Sequence, residues 1–327
     1  MTKLRIGVIG ATAGFGEGRR QAFQANPRAR VVAVCARTKD AVARLGRAIG
    51  ARAYTDWADL IADRNVEAVS IAVPNALHFE ITRAALAAGK HTLVEYPLCQ
   101  TLAQLDELLG LAQAKGVVLH HALTTRGEPL HRKLKELAPR LGQFFHAHYR
   151  YFGDAHWYVN PALRGDLFVA LHIHFLDQFE DIMGRTLRLN ATAAVLWAGE
   201  RSIHSATVLQ EFADGANAFQ EFGMGFPAKP TYSGWYIGEN GWLGFEVAQI
   251  GETPKVRLVL ADGTDRTCAP DSDDVVASDT ANFLAQVLDG APSWVPEAQT
   301  RRALTLALAA SESAQKGRKI EADEMHR

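Results

Sequence analysis

The segment AVPNALHFEITRAALAAGKHTLVEYPL, residues 72–98, decides the fold of this chain. A strand is predicted to end at Val73-Pro74-Asn75, and a helix opens at His78. A Gly89-Lys90-His91 turn leads into a second strand that ends at Glu95-Tyr96-Pro97. Strand, helix and strand in this order indicate a parallel βαβ unit.

The same alternation continues on both sides of this segment. Apolar runs predict strands at residues 4–9, 31–36, 68–73, 92–95 and 117–120. Helical periodicity lies between them, at residues 39–49, 76–88 and 102–115. Alternating strands and helices predict a parallel, doubly wound sheet of Rossmann type, which we assign to a first domain at residues 1–122.

The pattern changes after Arg126. An alternating aromatic stretch at residues 144–152 precedes a helical segment at 166–183, and strand-like runs with turns fill residues 187–251. The clearest turn is Gly238-Glu239-Asn240-Gly241. We therefore expect an α+β substrate-binding and oligomerisation domain at residues 123–327, with a largely antiparallel open sheet and helices. The helices predicted at 281–288 and 296–316 are expected to pack back against the first domain.

Length and composition limit the function. A chain of 327 residues exceeds one ordinary hydrophobic core, which favours two domains. Lys and Arg number 35 against 36 Asp and Glu, a balance that gives no electrostatic footprint for nucleic acid or an anionic membrane. The three cysteines have no zinc-site spacing, so no metal is expected. We expect a cytoplasmic protein with a small-molecule substrate, because no signal-like or membrane-length apolar run occurs.

A glycine-rich turn, GATAGFG, follows the first strand and precedes a helix. Backbone amides and the helix N-terminus would converge there on a pyrophosphate, which predicts a dinucleotide site. The pattern G-x-x-x-G-x-G spans one residue more than the usual G-x-G-x-x-G. The contacting residues are predicted to be Gly10, Thr12, Gly14, Phe15 and Gly16.

The end of the second strand predicts the choice of cofactor. No Asp or Glu stands there to bind a ribose 2′-hydroxyl, whereas Arg37 and Thr38 supply a cation and a hydroxyl for a 2′-phosphate. The alternative is that Arg37 lies over the adenine as a solvated side chain. NADP is predicted in preference to NAD.

These motifs, in this order with TDWADLI, LHIHFLDQFEDIMG and GENGWLGFE, make the chain resemble the Gfo/Idh/MocA oxidoreductase family. The resemblance implies that the corner Val73-Pro74-Asn75 with His78, and the strand end Glu95-Tyr96, bind the cofactor beside the nicotinamide. His78 could instead be a helix-start histidine bonded to backbone, and Glu95 a structural carboxylate. Tyr96 stands where the family's Glu-Lys-Pro motif has lysine, and Glu-Tyr-Pro resembles the biliverdin reductase branch.

The family's second catalytic motif, D-x-x-x-H-x-x-D, is matched in its latter half by His174 and Asp177, while Ala170 takes the place of the first Asp. Tyr96 and His174 are therefore the expected proton donors, with His174 titrating near neutral pH. Asp177 lies three residues after His174 on the same helical face, so it is expected to orient the ring or raise its pKa. A buried structural histidine is the alternative for His174.

Four residues are candidates for substrate binding. The resemblance places Arg126 just beyond the last parallel strand, where it contacts a polar substrate or remains a surface cation. His172 reaches the pocket only if the helix starts after it. Trp157 and Tyr158 are expected to form an aromatic wall, although aromatic side chains in this segment could equally pack on the sheet.

The leading interpretation is an NADP-dependent oxidoreductase that transfers hydride between the nicotinamide and a carbonyl/hydroxyl of a small, cyclic or sugar-like substrate. Two alternatives remain open. One is biliverdin-reductase-like reduction of a conjugated tetrapyrrole, and the other is a non-catalytic NADP-binding sensor, since the family's lysine and first aspartate are both replaced. A homo-oligomer, dimer or tetramer, is expected through the C-terminal sheet.

Overall fold

The computed structural model describes residues 3–153, 160–198, 201–225, 231–247, 252–321 and 324. The chain divides into two compact units, the first with Met1–Thr124 and Asp274–Arg301 and the second with Thr125–Asp273 and Arg302–Arg327. The first unit thus takes in residues 274–301, which the sequence-based boundary at residue 122 assigned to the second domain.

The helices have the following bounds: α1 Gly14–Ala25, α2 Lys39–Ile49, α3 Trp57–Ala62, α4 His78–Ala87, α5 Leu102–Lys115, α6 Pro129–Leu137, α7 Pro161–Arg164, α8 Ile173–Met183, α9 Val275–Asp289 and α10 Glu297–Lys316. Helix α9, predicted to pack back on the first domain, lies in the first unit, where Phe283 packs at 6.2 Å from Phe23 of α1. The residues of α10 from Arg302 onward belong to the second unit. No helix in the described part of the chain is long and apolar enough to cross a membrane.

The first unit contains a parallel sheet whose described strands are β1 Leu4–Ile9, β2 Ala29–Cys35, β3 Arg52–Tyr54, β4 Ala68–Ile71, β5 His91–Glu95 and β6 Leu119–Ala122. Their order is β3-β2-β1-β4-β5-β6, with every neighbouring pair parallel. Strand β1 is buried along nearly its whole length because helices cover both faces of such a sheet. The order reverses between β1 and β4, where doubly wound sheets bind dinucleotides. The predicted Rossmann-type architecture is confirmed.

The second unit contains a mostly antiparallel sheet. Its described strands are β7 Phe144–Gly153, β8 Thr186–Ala198, β9 Arg201–Phe212, β10 Asn217–Met224, β11 Thr231–Gly238, β12 Gly241–Val247, β13 Lys255–Leu260, β14 Asp265–Cys268 and β15 Ile320–Glu321. The order is β14-β13-β12-β11-β7-β10-β9-β8-β15, and only the pair β7 and β10 is parallel within these residues. The predicted turn joins β11 to β12, with Gly238 opposite Gly241.

The helical segment predicted at 166–183 is not one regular helix. A π-helical turn at Phe168–His172 comes first, and α8 begins at Ile173. Helix α8 packs aromatic side chains against one face of the sheet, with Phe175 at 4.0 Å from Tyr149 and Phe179 at 5.8 Å from Tyr236, measured between ring centroids. The wider π turn changes the angular position of His172 relative to α8.

Candidate functional site

The glycine-rich turn brings three chain segments into close backbone contact. Gly10 directly follows β1 with a φ of +89°, and a β-carbon on it would lie 1.9 Å from the carbonyl oxygen of Ala72. A β-carbon on Gly16, in the first turn of α1, would lie 2.1 Å from the Gly10 carbonyl oxygen. Only glycine fits at both positions, so the N-terminus of α1 sits directly at the carboxyl ends of β1 and β4. This is the geometry that cradles a pyrophosphate.

The rest of the predicted turn faces outward. Gly14 is the first residue of α1, and Ala13 caps the helix without a side-chain hydrogen bond. Thr12 is half-buried, whereas Phe15 is 54% exposed. The Phe15 ring meets the Tyr96 ring edge-on at 6.2 Å, so the glycine-rich turn and the end of β5 share one surface of the first unit.

Arg37 and Thr38 follow β2 and are exposed. The backbone amides of Gly10 and Ala11 donate to the Cys35 carbonyl, which ties the end of β2 to the end of β1. Neither Arg37 nor Thr38 has a side-chain hydrogen bond or ion pair within the described residues, so Thr38, the N-cap residue of α2, does not cap the helix with its hydroxyl. Both groups therefore remain available to a ligand at this strand end.

His78 links the two landmark motifs. Its Nδ1 lies 2.7 Å from the Pro97 carbonyl oxygen, and its Nε2 lies 2.8 Å from the Val73 carbonyl oxygen. The ring is fully buried, and burial lowers its pKa although the two carbonyls oppose that shift. His78 therefore holds the end of β4 and the end of β5 together.

The 74–75 corner leaves a polar group unsatisfied. Pro74 is half-buried, and Asn75, at 3% exposed, begins a short 3-10 turn. The Asn75 side-chain nitrogen has no hydrogen-bond partner among the described residues. A buried amide without a partner is costly, and it fits a bound group that accepts a hydrogen bond.

Glu95 belongs to a buried ionic cluster that the sequence did not reveal. Arg19 of α1 donates from Nε to Glu95 Oε1 at 2.5 Å, and its Nη1 lies 2.6 Å from Asp279 Oδ2 of α9. Asp279 in turn accepts from His120 Nε2 at 2.9 Å. Burial raises the pKa of Glu95, although Arg19 opposes the shift. Glu95 thus anchors the strand end that carries the half-buried Tyr96, and Arg19 and Asp279 were missed because they lie far away in the sequence.

In the second unit, the guanidinium of Arg126 binds the carboxylate of Asp177 through two hydrogen bonds. Its Nε donates to Oδ2 at 2.9 Å and its Nη2 to Oδ1 at 2.7 Å. Nη1 donates to Asp181 at 2.9 Å, and His131 and Lys135 also bond Asp181. Burial would lower the pKa of Arg126, but the carboxylates outweigh it and the pKa is raised. Arg126 is therefore neither a free surface cation nor an uncommitted ligand for an anion.

His174 does not have the environment expected from its spacing to Asp177. The ring is 8% exposed, and its Nδ1 lies 3.3 Å from the Thr125 hydroxyl. Burial lowers its pKa to about 3. The expectation that Asp177 raises the pKa of His174 is therefore wrong, because burial dominates and the Asp177 carboxylate is bound by Arg126. His174 is neutral at neutral pH.

His172 and His174 do not converge. His172 is fully buried against Phe168 and Phe222, and its Nδ1 lies 3.1 Å from Gln220 Oε1 of β10. Burial lowers its pKa to about 4. His172 does precede α8, which was the condition for its reaching a pocket. The π turn nevertheless points this ring at the sheet, where it contacts β10.

Trp157 and Tyr158 lie outside the described residues. The second unit nevertheless presents an aromatic surface on one face of its sheet, because Tyr151 is opposite both Phe222 and Tyr232 in the strand register. Phe222 packs at 4.8 Å from Phe175, the residue after His174. The hydroxyls of Tyr151 and Tyr232 make no hydrogen bond within the described residues, and both rings are half-buried. These groups offer flat apolar area and hydroxyl donors together.

Glu128 is the second group that sequence reasoning missed. It directly precedes α6, is half-buried, and makes no side-chain hydrogen bond or ion pair within the described residues. Burial raises its pKa to about 7, and the carboxylate itself helps to raise the pKa of Tyr149 and of Tyr232. No local pattern distinguishes it from an ordinary solvated glutamate at a helix start.

Metal ligands do not gather anywhere in the described residues: no group of three or more His, Cys, Asp or Glu side chains is placed to hold an ion.

Comparison with known proteins gives two family matches. Residues 4–123 match the oxidoreductase family, NAD-binding Rossmann fold, of the GFO_IDH_MocA group, and residues 139–244 match the GFO/IDH/MocA C-terminal domain.

Individual relatives cover different shares of the chain. D-xylose 1-dehydrogenase (NADP(+)) of Hypocrea jecorina is 33% identical over 153 residues, 42% of this chain and 39% of that protein. A dTDP-3,4-didehydro-2,6-dideoxy-alpha-D-glucose 3-reductase of Streptomyces violaceoruber is 28% identical over 290 residues, 84% of this chain and 83% of that protein. The chain thus spans well under half the length of the first relative and most of the second.

A solved structure shares the fold. Biliverdin reductase from Synechocystis sp. PCC 6803, crystallised with biliverdin and NADP+, superposes with a TM-score of 0.84 at 24% identity, covering 95% of this chain and 99% of that one. With the doubly wound domain and the following sheet domain both matched by profiles of one group, the chain belongs to the Gfo/Idh/MocA family of oxidoreductases.

Proposed function

We propose that this protein is an NADP-dependent oxidoreductase that transfers hydride between the nicotinamide and a carbonyl/hydroxyl pair of a small, cyclic or sugar-like substrate. The observation that carries the proposal is the cradle made by Gly10 and Gly16, which fits a pyrophosphate at the N-terminus of α1. The buried, unpaired amide of Asn75 fits a hydrogen-bond acceptor elsewhere on the same cofactor. The cofactor, when bound, supplies the hydride chemistry.

The preference for NADP rests on Arg37 and Thr38. A 2′-phosphate needs a cation and a hydroxyl beyond the end of β2, and both side chains are exposed there without protein partners in the described part of the chain. The Hypocrea relative is named for NADP(+), which is consistent with this assignment.

Tyr96 is the proposed hydrogen-bond donor to the reacting oxygen. Hydride transfer to a carbonyl develops negative charge on oxygen, and a fixed phenol donor stabilises it. The strand end that carries Tyr96 is held on both sides, by Arg19 through Glu95 and by His78 through the Pro97 carbonyl. The neutral ring of His174 is proposed to bind a substrate hydroxyl, and Asp177 to hold Arg126 in place.

The aromatic surface of the second unit supports a ring-shaped, hydroxylated and uncharged substrate. Tyr151, Phe175 and Tyr232 offer faces for stacking and hydroxyls for hydrogen bonds. Arg126 is occupied by Asp177 and Asp181, which disfavours the carboxylate side chains of a bilin. Two of the relatives are named for D-xylose and for a dTDP-linked deoxy sugar, in agreement with a sugar-like substrate.

The test is NADPH fluorescence titration followed by absorbance at the nicotinamide band with sugars, cyclic ketones and bilins. Turnover of sugars or cyclic ketones would support the proposal, and turnover of bilins alone would support the biliverdin-reductase-like alternative. NADPH binding without turnover across the whole panel would favour a sensor. Gly16→Ala should abolish NADPH binding, whereas Gly18→Ala is the matched control because a β-carbon there meets nothing within 4 Å.

We also propose a homo-oligomer through the face of the sheet opposite α8. Trp235, Ile237 and Trp242 are 39%, 37% and 36% exposed and lie together, since Ile237 pairs with Trp242 across β11 and β12. Exposed apolar area of this kind marks an interaction surface. Light scattering after size exclusion should give the molar mass of a dimer or tetramer. Trp235→Glu should lower that mass towards the value of the monomer.

A further inference from the structure

The buried ionic cluster behind the end of β5 contains more carboxyl groups than cations. The Arg19 guanidinium bonds Glu95 at 2.5 Å and lies 2.6 Å from Asp279, and all three side chains are buried. His120 of β6, which is fully buried, bonds the other oxygen of Asp279 at 2.9 Å. One guanidinium therefore faces two carboxyl groups, and the charge of His120 decides whether the cluster is balanced.

His120 is neutral, because its second ring nitrogen accepts a hydrogen bond. Two backbone groups fix the amide of Asn282, whose nitrogen donates to the Pro292 carbonyl and whose oxygen accepts from the Trp294 amide, each at 3.0 Å. The same oxygen accepts from Gln286 Nε2 at 2.8 Å, which sets the orientation of the Gln286 amide. Gln286 Nε2 also lies 2.7 Å from His120 Nδ1, so Nδ1 is the acceptor and the ring proton is on Nε2.

The cluster therefore carries one excess negative charge when both carboxyl groups are ionised. Asp279 has two neighbours that favour its carboxylate, Arg19 and His120. The Glu95 side chain has Arg19 as its single hydrogen-bond partner among the described residues. Burial raises the pKa of Glu95, whereas for Asp279 the bonds from His120 and Arg19 outweigh burial and the pKa is lowered. A proton that enters the cluster thus goes to Glu95.

The elements around Glu95 supply no second cation within the described residues. Arg20 of α1 is engaged by side chains of its own helix. On β6, His121 lies on the opposite face of the sheet from His120. On α4, the ring of His78 bonds two carbonyl oxygens, and burial lowers its pKa. The excess charge therefore stays on the cluster.

The end of β5 lies on the nicotinamide side of the proposed cofactor site. Arg37, after β2, is assigned to the 2′-phosphate of the adenosine half, and Gly10, after β1, to the pyrophosphate. A dinucleotide lies across the reversal in strand order, so its second half belongs to the ends of β4 and β5. The sheet register sets Glu95 level with Ala72, whose carbonyl oxygen approaches Gly10. The charge of Glu95 is therefore at the carboxyl edge of the sheet, on the side of the nicotinamide.

We propose that Glu95 makes cofactor binding sensitive to the redox state of the nicotinamide. The ring carries a positive charge in NADP+ and none in NADPH. With Glu95 ionised, the excess negative charge attracts the oxidised ring, and with Glu95 protonated the cluster is neutral and this attraction is lost. Glu95 is thus a specificity-determining residue that acts through its charge, and its carboxylate takes a proton from solvent when NADPH replaces NADP+. This inference rests on the proposed binding of NADP.

The first test compares the dissociation constants of NADP+ and NADPH for the parent protein from pH 5 to 9. NADPH is titrated by fluorescence, and NADP+ by competition with NADPH. The Kd of NADP+ divided by the Kd of NADPH should rise about tenfold as the pH falls and Glu95 takes up its proton. A unit charge acting over roughly 10 Å at an effective dielectric constant of about 20 has an effect of this size. The 2′-phosphate titrates in both cofactors, so its contribution cancels in the ratio.

Two different substitutions should remove the pH dependence in the same way. Glu95→Gln deletes the titrating group and leaves Arg19 balanced by Asp279. Asp279→Asn leaves Arg19 balanced by Glu95, which then stays ionised throughout the range. In both variants the ratio should be independent of pH and about tenfold above that of the parent at pH 9. Asp289→Asn is the matched control, because it removes an exposed carboxyl of the same helix α9 and should match the parent.

A second readout uses the parent alone and does not depend on the folding of a variant. Titration calorimetry in two buffers of different ionisation enthalpy measures the protons taken up when NADPH displaces NADP+. At the midpoint of the pH dependence about half a proton should be bound per site, which is the linked value for a tenfold change of the ratio.

The outcomes separate this inference from the proposed function. A parent that binds neither cofactor would overturn both. A parent that binds both cofactors with a constant ratio from pH 5 to 9, or without proton uptake, would overturn the role of Glu95 alone. Retention of the parent's pH dependence in folded Glu95→Gln or Asp279→Asn would do the same. Substrate turnover enters none of these measurements, so failure to reduce any member of the panel above counts against the proposed function and not against Glu95.

Discussion

Arg126 holds Asp177 through two parallel hydrogen bonds, at 2.9 and 2.7 Å, with the carboxylate almost completely buried. Paired N–H donors on a guanidinium match the two oxygens of a carboxylate, which makes this kind of contact directional as well as strong. The pair fixes the turn after β6 to α8. Residues 125 and 126 are thereby held against α8, since the Thr125 hydroxyl also lies 3.3 Å from His174 Nδ1.

Replacing Arg126 with Gln should cost about 3–5 kcal/mol of the free energy of unfolding, because the buried Asp177 carboxylate would lose the charge and the paired hydrogen bonds of Arg126. Arg126→Lys should cost less, since it retains the charge but not the paired geometry. Urea denaturation with an unchanged m-value is the measurement.

Arg132 gives the matched control for this change. Its ion pair with Asp273 is exposed, so Arg132→Gln should cost no more than about 1 kcal/mol. Equal losses of the free energy of unfolding for the Arg126 and Arg132 variants would show that the ion pair with Asp177 stabilises the fold no more than an exposed ion pair does.

Arg37→Ala should weaken NADPH binding about ten- to a hundredfold while changing NADH affinity little, because a charge-assisted bond of roughly 1.5–3 kcal/mol to the 2′-phosphate is lost. Fluorescence titration of both cofactors gives the ratio. Arg44→Ala removes another exposed cation, which lies within α2 and seven residues after Arg37, and should leave both affinities unchanged. A parallel loss for NADH and NADPH would refute the assignment of Arg37 to the phosphate.

The fold was predictable because its information is local. Apolar strands buried on both faces alternate with amphipathic helices, and parallel strands place their carboxyl ends, hence Gly10 and Tyr96, at one edge. The need for glycine at Gly10 and Gly16 also follows from their spacing between a strand and a helix. The distances from a β-carbon at these positions to the Ala72 and Gly10 carbonyl oxygens come only from the structure.

The chemistry of the second unit was less predictable because it depends on distant partners. The three-residue interval between His174 and Asp177 correctly places both residues on one helical face. The interval could not predict that Arg126 binds the Asp177 carboxylate. Glu128 owes its raised pKa to burial in the folded unit. His172 escaped prediction because a π turn is not visible in periodicity.

Tyr96→Phe should lower turnover by about 10²–10⁴ while NADPH affinity stays within about threefold, because the variant loses the phenol hydroxyl that we propose as the hydrogen-bond donor to the reacting oxygen. The ring contact with Phe15 needs no hydroxyl, so the turn around the cofactor should be retained. Steady-state kinetics and fluorescence titration together measure the two effects. Turnover equal to that of the parent would assign the oxygen contact to another donor.

His172 and His174 should make the protein less stable as the pH falls below 6.5. Their folded pKa values are lowered to about 4 and about 3 by burial, against about 6.5 in an unfolded chain, so the unfolded state binds more protons in this window. Each ring should therefore cost on the order of 2 kcal/mol of the free energy of unfolding by pH 5. Urea denaturation between pH 7 and 5 should show a slope that falls in His174→Asn and falls further in the double variant His172→Asn and His174→Asn. The slope that remains includes the contribution of His78, whose pKa burial also lowers. The carboxylates with lowered pKa, such as Asp181, remain ionised throughout this window and do not imitate the effect. If the double variant kept the full slope, protons taken up elsewhere in the unfolded chain would be responsible, and the two buried rings could not both be neutral in the folded protein.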